Sequence, residues 1–124
     1  MPDDGRGDLV VAVEWFSTIA AESLSGVAFL YDYVQLHFNL DPLLNIYTPV
    51  TVVVDGASHV SGDIGFANAL IGQIDKPVSH VSVEAGACVA IHFRDTSVIA
   101  FSTQRAKRGR EAFTLFTENG VYAE

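Results

Sequence analysis

Cysteine is nearly absent: Cys88 is the only one in 124 residues. That excludes an internal disulfide framework and suits a reducing compartment. Cations are scarce too, seven Lys and Arg against fifteen Asp and Glu, for a formal charge of -8. Nucleic-acid binding needs clustered Lys and Arg at phosphates, so this balance argues against it. No apolar run approaches the ~20 residues of a membrane helix. The start, Met1-Pro2-Asp3-Asp4-Gly5-Arg6, is acidic where a secretory signal would be positive. We therefore expect a cytoplasmic chain with no membrane or nucleic-acid partner. No Gly-rich segment follows a strand and opens a helix, so a phosphate cradle of that kind is not supported.

What remains is apolar: 49% of residues are hydrophobic, in a chain of one domain's length. A chain this long can bury roughly 65–70% of its unfolded surface without metal or disulfide. Residues 1–8 are polar and Gly-rich and read as a disordered tail, leaving 9–124 as a single domain. Leu9, Val13, Phe16 and Ala20 share a helical face behind Asp8 as N-cap, and Gly26 can end the helix. Val11, Val13 and Trp15 also alternate, so a strand competes there. Val34, Leu36 and Phe38 alternate with Gln35 and His37 as a strand does. Asn39 to Pro42 reads as a turn, followed by the alternation Leu44, Ile46, Thr48 and the run Thr51 to Val54. Pro49 marks an edge or a bulge. Asp55 to Gly65 reads as a polar loop, and Phe66 to Ile71 as a short helix stopped by Gly72. Three strands follow, 78–84, 88–94 and 97–103, then Phe113 to Thr117 and a hairpin through Glu118-Asn119-Gly120 into Val121-Tyr122.

The chain resembles itself. Val34-Gln35-Leu36-His37-Phe38 matches Val89-Ala90-Ile91-His92-Phe93, and Leu44, Tyr47 and Thr48 match Val98, Phe101 and Ser102. Upstream, Ala21 to Gly26 resembles Ala67 to Gly72. Similar amphipathic hairpins also arise by chance. Taken as real, the repeat gives two helix-strand-hairpin units, about 15–54 and 61–104, related by a pseudo-two-fold axis around one core. The expected class is α+β: mostly antiparallel strands in a roll or small open barrel, with one N-terminal and one short central helix.

Several of these segments carry a resemblance. Val34 to Phe38, the Asn39 to Pro42 turn, Ala69-Leu70-Ile71-Gly72, and Gly109-Arg110-Glu111-Ala112-Phe113 ending in Gly120-Val121-Tyr122 resemble a family of small bacterial β-rich proteins of unknown function. Arg110 stands where that family's pattern has proline. The resemblance implies a compact β-rich domain and transfers no catalytic residue. By analogy alone, some such proteins look like the acidic immunity partners of bacterial toxins.

Candidate chemistry starts with histidine. His37 and His92 hold matched repeat positions, and a dyad could join them as metal ligands completed by His59 or His80. Period 2 opposes this, because inward Leu36, Phe38, Ile91 and Phe93 turn both imidazoles outward; no metal is expected. Cys88 with His80 or His92 as base would make a nucleophile. Its neighbours Ala87, Val89 and Ala90 offer nothing to lower its pKa, and a packed strand cysteine is the plainer reading. Asp32 is an acid set among tyrosines, and Asp55, Asp63 and Glu84 read as turn or cap residues. Arg6-Gly7-Asp8 reads as coincidence. Arg105, Lys107, Arg108 and Arg110 form the one basic cluster, a candidate site for an anion or an acidic partner surface. The competing reading is a solvated connector.

The sequence names no catalytic residue and no cofactor, and it leans away from an enzyme. It favours an acidic interaction module that binds another protein, preferably basic, and itself as a homodimer through exposed sheet, with Val50 to Val54 as the expected edge. The alternative is a small-molecule or metal-binding protein with a cavity between the two units, lined by Tyr31, Tyr33, Tyr47, His37 and His92.

Overall fold

Alternation of apolar and polar side chains decides most of the architecture, because a strand must turn one face to the core and one to water. The computed structural model describes residues 6–20, 22–39, 41–84, 87–104 and 111–124. Among these lie two helices, α1 (Arg6–Phe16) and α2 (Phe66–Ile71), and ten strands. Before α2 come β1 (Leu24–Phe29), β2 (Val34–Phe38), β3 (Leu43–Ile46), β4 (Val50–Val54) and β5 (Ala57–Val60). After it come β6 (Val78–Glu84), β7 (Cys88–Phe93), β8 (Val98–Ser102), β9 (Phe113–Thr117) and β10 (Gly120–Ala123). The strands form two five-stranded antiparallel sheets, ordered β1-β2-β3-β9-β10 and β5-β4-β8-β7-β6. The mostly antiparallel α+β expectation stands.

The two sheets touch through the backbone at the Ser23–Pro77 bridge, beside their edge strands β1 and β6. Leu36, Phe38, Leu44, Ile46 and Leu115 from one sheet and Val50, Val52, Val89, Ile91 and Ile99 from the other bury into one core. The chain passes from β3 to β4 through Pro49, so the two strands on either side of it lie in different sheets. Thr48 anchors that crossing by donating to Ser102 O at 2.6 Å.

Helix α1 is shorter than its apolar period suggests, and it begins at Arg6, inside the stretch read as tail. Ser17 and Thr18 end it: their hydroxyls donate back to Glu14 O (2.6 Å) and Trp15 O (2.7 Å), competing with the helical ladder. The chain then enters β1, an edge strand read from sequence as the end of the helix; Gly26 pairs with His37 rather than capping. The polar loop 55–65 contains β5, because Asp55 and Gly56 both take positive φ (51° and 79°), the signature of a tight hairpin turn. Strand β4 is therefore no edge: β5 covers one side and β8 the other. The edges are β1, β10, β5 and β6. Among the described residues, no helix is long and apolar enough to cross a membrane.

Phe16, the last residue of α1, bridges the sheets. Its ring lies 6.4 Å from Phe101 of β8 and 5.2 Å from Phe113 of β9, and it is 1% exposed. Phe16→Ala is expected to cost about 3–5 kcal/mol, whereas Val11→Ala on the outer side of the same helix should stay within about 0.5 kcal/mol. Urea denaturation of the two variants checks this.

Candidate functional site

Three turns distant in sequence meet at one end of the molecule. The close of α1 supplies Thr18, the approach to β1 supplies Glu22, the β2–β3 turn supplies Asn39 and Asp41, and the β9–β10 turn supplies Thr117 and Glu118. Together they line a cleft of about 460 Å³. A second hollow of about 270 Å³ adjoins it through Thr18, Thr117 and Asn119 and adds Glu14 and Trp15. Four carboxylates thus face one groove, and none of its lining residues is a cation.

Local chemistry fixes each wall. Asn39 takes φ +56°, which Asn tolerates, and donates from Nδ2 to Glu22 Oε2 at 3.0 Å. The Glu118 N–H donates to Asp41 Oδ2 at 2.9 Å, tying the two turns together. Trp15 stacks on Tyr122 with ring centroids 5.6 Å apart and planes 11° from parallel. Gly120, beside that stack, takes φ +135°, a conformation that favours glycine; a Cβ there would be in ordinary contact with the Trp15 ring at 3.6 Å. The Tyr122 hydroxyl in turn donates to Glu124 Oε2.

No family model, curated protein or solved structure matches the chain. Its chemistry is therefore argued from its own side chains.

The candidates named from sequence are scattered. Tyr33, Tyr47 and His37 share the outer face of the first sheet. There the Tyr33 and Tyr47 rings sit 5.3 Å apart, and His37 Nε2 bonds Gln35 Oε1 at 2.7 Å. Tyr31 is fully exposed in the β1–β2 turn. His92 lies on the outer face of the second sheet, so the five residues line no common cavity. Arg105, Lys107, Arg108 and Arg110 lie outside the described residues. A different hollow, about 390 Å³, lies between α2 and the β4–β5 hairpin, against Val54, His59 and Ala69.

His92 does meet a histidine, but it is His80. The two are cross-strand partners stacked 4.2 Å apart, and Ser82 Oγ bonds His92 Nε2 at 3.0 Å. Partial burial, and then the neighbouring His80, push the His92 pKa below its ordinary value. Cys88 points its thiol at Glu84 Oε2, 3.6 Å away. Burial, and then that hydrogen bond, push its pKa up, the reverse of what a nucleophile needs. Among the described residues, no three of His, Cys, Asp and Glu converge as a metal site would require. No period in the sequence marks the acidic groove, since Glu14, Thr18 and Glu22 read as helix and Asn39, Asp41 and Glu118 as turn residues.

The clearest electrostatic contrast is the β7–β8 turn. Lys76 Nζ lies 2.7 Å from Asp95 Oδ2, and Ser97 donates both its hydroxyl (2.5 Å) and its N–H (3.0 Å) to Asp95 Oδ1. The Lys76 bond first, and then those from Ser97, hold the Asp95 carboxyl at about 2, below its ordinary 3.8. A carboxylate lowered in the folded state stabilises above its unfolded pKa, and that gain disappears as pH falls from about 4 to about 2. With half the Asp95 side chain exposed, the gain is at most about 1 kcal/mol. Asp95→Asn is expected to melt roughly 1–4 °C lower than the parent at pH 7 and to match it at pH 2. An equal deficit at both pH values in a thermal melt would contradict the assignment.

Proposed function

We propose that this chain is a non-enzymatic protein-interaction module whose acidic groove holds a basic segment of a partner protein. The supporting observation is a contrast between the two turns that flank the Ser23–Pro77 bridge: among the described residues, one holds a cation and the other none. The comparison rests on a second proposal, that the chain is a duplicated unit with a pseudo-two-fold axis. In its favour, the sheets read β1-β2-β3-β9-β10 and β6-β7-β8-β4-β5 from matching edges. Both first strands are irregular at the same place, between Leu24 and Gly26 and between Val78 and His80. Around the Ser23–Pro77 bridge the chain exchanges reciprocal bonds, Leu24 N to Lys76 O at 3.2 Å and Val78 N to Glu22 O at 2.8 Å.

This correspondence pairs β1 with β6 and so replaces the upstream match of Ala21–Gly26 to Ala67–Gly72; on it Glu22 stands where the other half has Lys76, and Asn39 where it has Arg94. The β7–β8 turn is neutralised from within by Lys76 on Asp95. The groove is lined by Glu14, Glu22, Asp41 and Glu118 and, among the described residues, by no cation. A lysine or arginine from outside supplies the missing charge, and Trp15 offers an aromatic wall for its stem. An acidic surface meeting a basic partner is also what the resemblance to acidic immunity proteins implies.

Trp15 is the only tryptophan, so its fluorescence reports directly on the groove. Titration with a short oligolysine probe is expected to change Trp15 emission, with affinity falling as salt rises. Glu22→Gln and Glu118→Gln should each weaken binding about two- to fivefold, the usual worth of an exposed ion pair. Emission unchanged by about 1 mM probe at low salt would remove the proposal.

A further inference from the structure

The broad faces of the molecule carry almost no charge. Among the residues of the ten strands, Glu84 alone is charged, in a chain whose formal charge is -8. A solvent-facing sheet usually carries polar and charged residues that keep neighbouring sheets apart. Here the remaining described charges sit in helices, turns and loops.

The outer face of the first sheet combines three further properties. First, Leu43, Phe116 and Val121 are direct cross-strand neighbours in one row. Phe116 is 37% exposed and Val121 57%. Second, the adjoining row is polar but already paired with itself. Gln35 Nε2 donates to Asn45 Oδ1 at 2.9 Å, Asn45 Nδ2 to the Tyr47 hydroxyl at 3.4 Å, and Thr114 Oγ1 to the same hydroxyl at 3.3 Å. Groups that satisfy one another lose little when water is removed from above them. Third, the face includes Gly26 and Ala28 on β1, small residues that put little in a partner's way.

We infer that this face is a self-association surface, on which a second copy of the chain packs its own first sheet about a two-fold axis. Charge selects the occupant. Two copies at -8 repel wherever their turns and helices approach, and least where two uncharged faces meet. Size sets the strength. Five strands about 4.8 Å apart and about 17 Å long give a face of roughly 400 Å². A standard interface uses about 800 Å² per partner, so the dimer is weak and forms at high micromolar concentration. This surface is separate from the acidic groove and has the opposite salt dependence: screening strengthens a neutral contact between like-charged bodies.

Sedimentation of the full chain from about 5 µM to about 1 mM tests this, at roughly 50 and 500 mM salt. The parent is expected to dimerise reversibly, more strongly at the higher salt. Val121→Lys sets two like charges against each other across the axis and should weaken the dimer at least about tenfold, with unchanged melting temperature. Val60→Lys, equally outward on the second sheet, should dimerise like the parent, as should Glu22→Gln in the groove. A parent that stays monomeric throughout would overturn the inference. So would a Val121→Lys variant that dimerises like the parent, or a Val60→Lys variant that alone loses the dimer. Oligolysine binding to Trp15 is scored separately, so either result can fail without the other.

Discussion

Neither sheet is completed by a contiguous piece of chain. The β4–β5 hairpin, which follows β3, adds to β8, and the β9–β10 hairpin, which follows β8, adds to β3. Each half therefore lends two strands to the sheet the other half begins. The pairings that seal this exchange are long in sequence, Val50 with Phe101 and Ile46 with Phe113. Such contacts form only after a large loop has closed, which makes the fold slow to assemble and cooperative once assembled. Phe16 lies across the joint, against Phe101 of one sheet and Phe113 of the other. Its burial depends on the β9–β10 hairpin being in place beside β8.

The exchange also makes the groove. Thr117 and Glu118 belong to a hairpin from the end of the chain, yet they sit beside Thr18, Glu22 and Asp41 from its first third. Only the addition of β9 to β3 brings them there. The Glu118 N–H to Asp41 bond is the local consequence. A site assembled from two strand-pair turns and the connection between α1 and β1 inherits the rigidity of the sheets beneath it.

How far the sequence reveals this follows from the length scale of each signal. Strict alternation over five residues in Val34 to Phe38 and Val89 to Phe93 identifies β2 and β7 and the direction of their histidines, because burial of one face leaves no other register. The strands β6 to β8 and the helix α2 are legible for the same reason and from their flanking turns. β1 is not, since Ser25, Gly26 and Ala28 have weak strand preferences and follow a helix whose apolar period continues past its true end. β5 is hidden in a polar segment, where pairing with β4 rather than propensity makes the strand. The division into two sheets was not legible, because alternation gives the faces of strands but not their neighbours. Glu22, Asp41 and Glu118 gave no joint signal, since Glu22 reads as helix, the other two as turn residues, and their meeting is purely tertiary.

Charge placement joins these observations. In strands that pack on both neighbours and turn an outer face to solvent, a charged residue normally marks that face as one to be left alone. Here the strands keep theirs uncharged apart from Glu84, while the acidic residues collect where the chain turns. The same chain is then strongly repulsive at its ends and nearly indifferent on its faces. On the two proposals made for this chain, an oppositely charged segment is drawn to the first region and a like copy is steered to the second. Ionic strength separates the two, since screening weakens the attraction at the groove and relaxes the repulsion that keeps faces apart. A single acidic domain can in this way hold two kinds of contact that do not compete for the same residues.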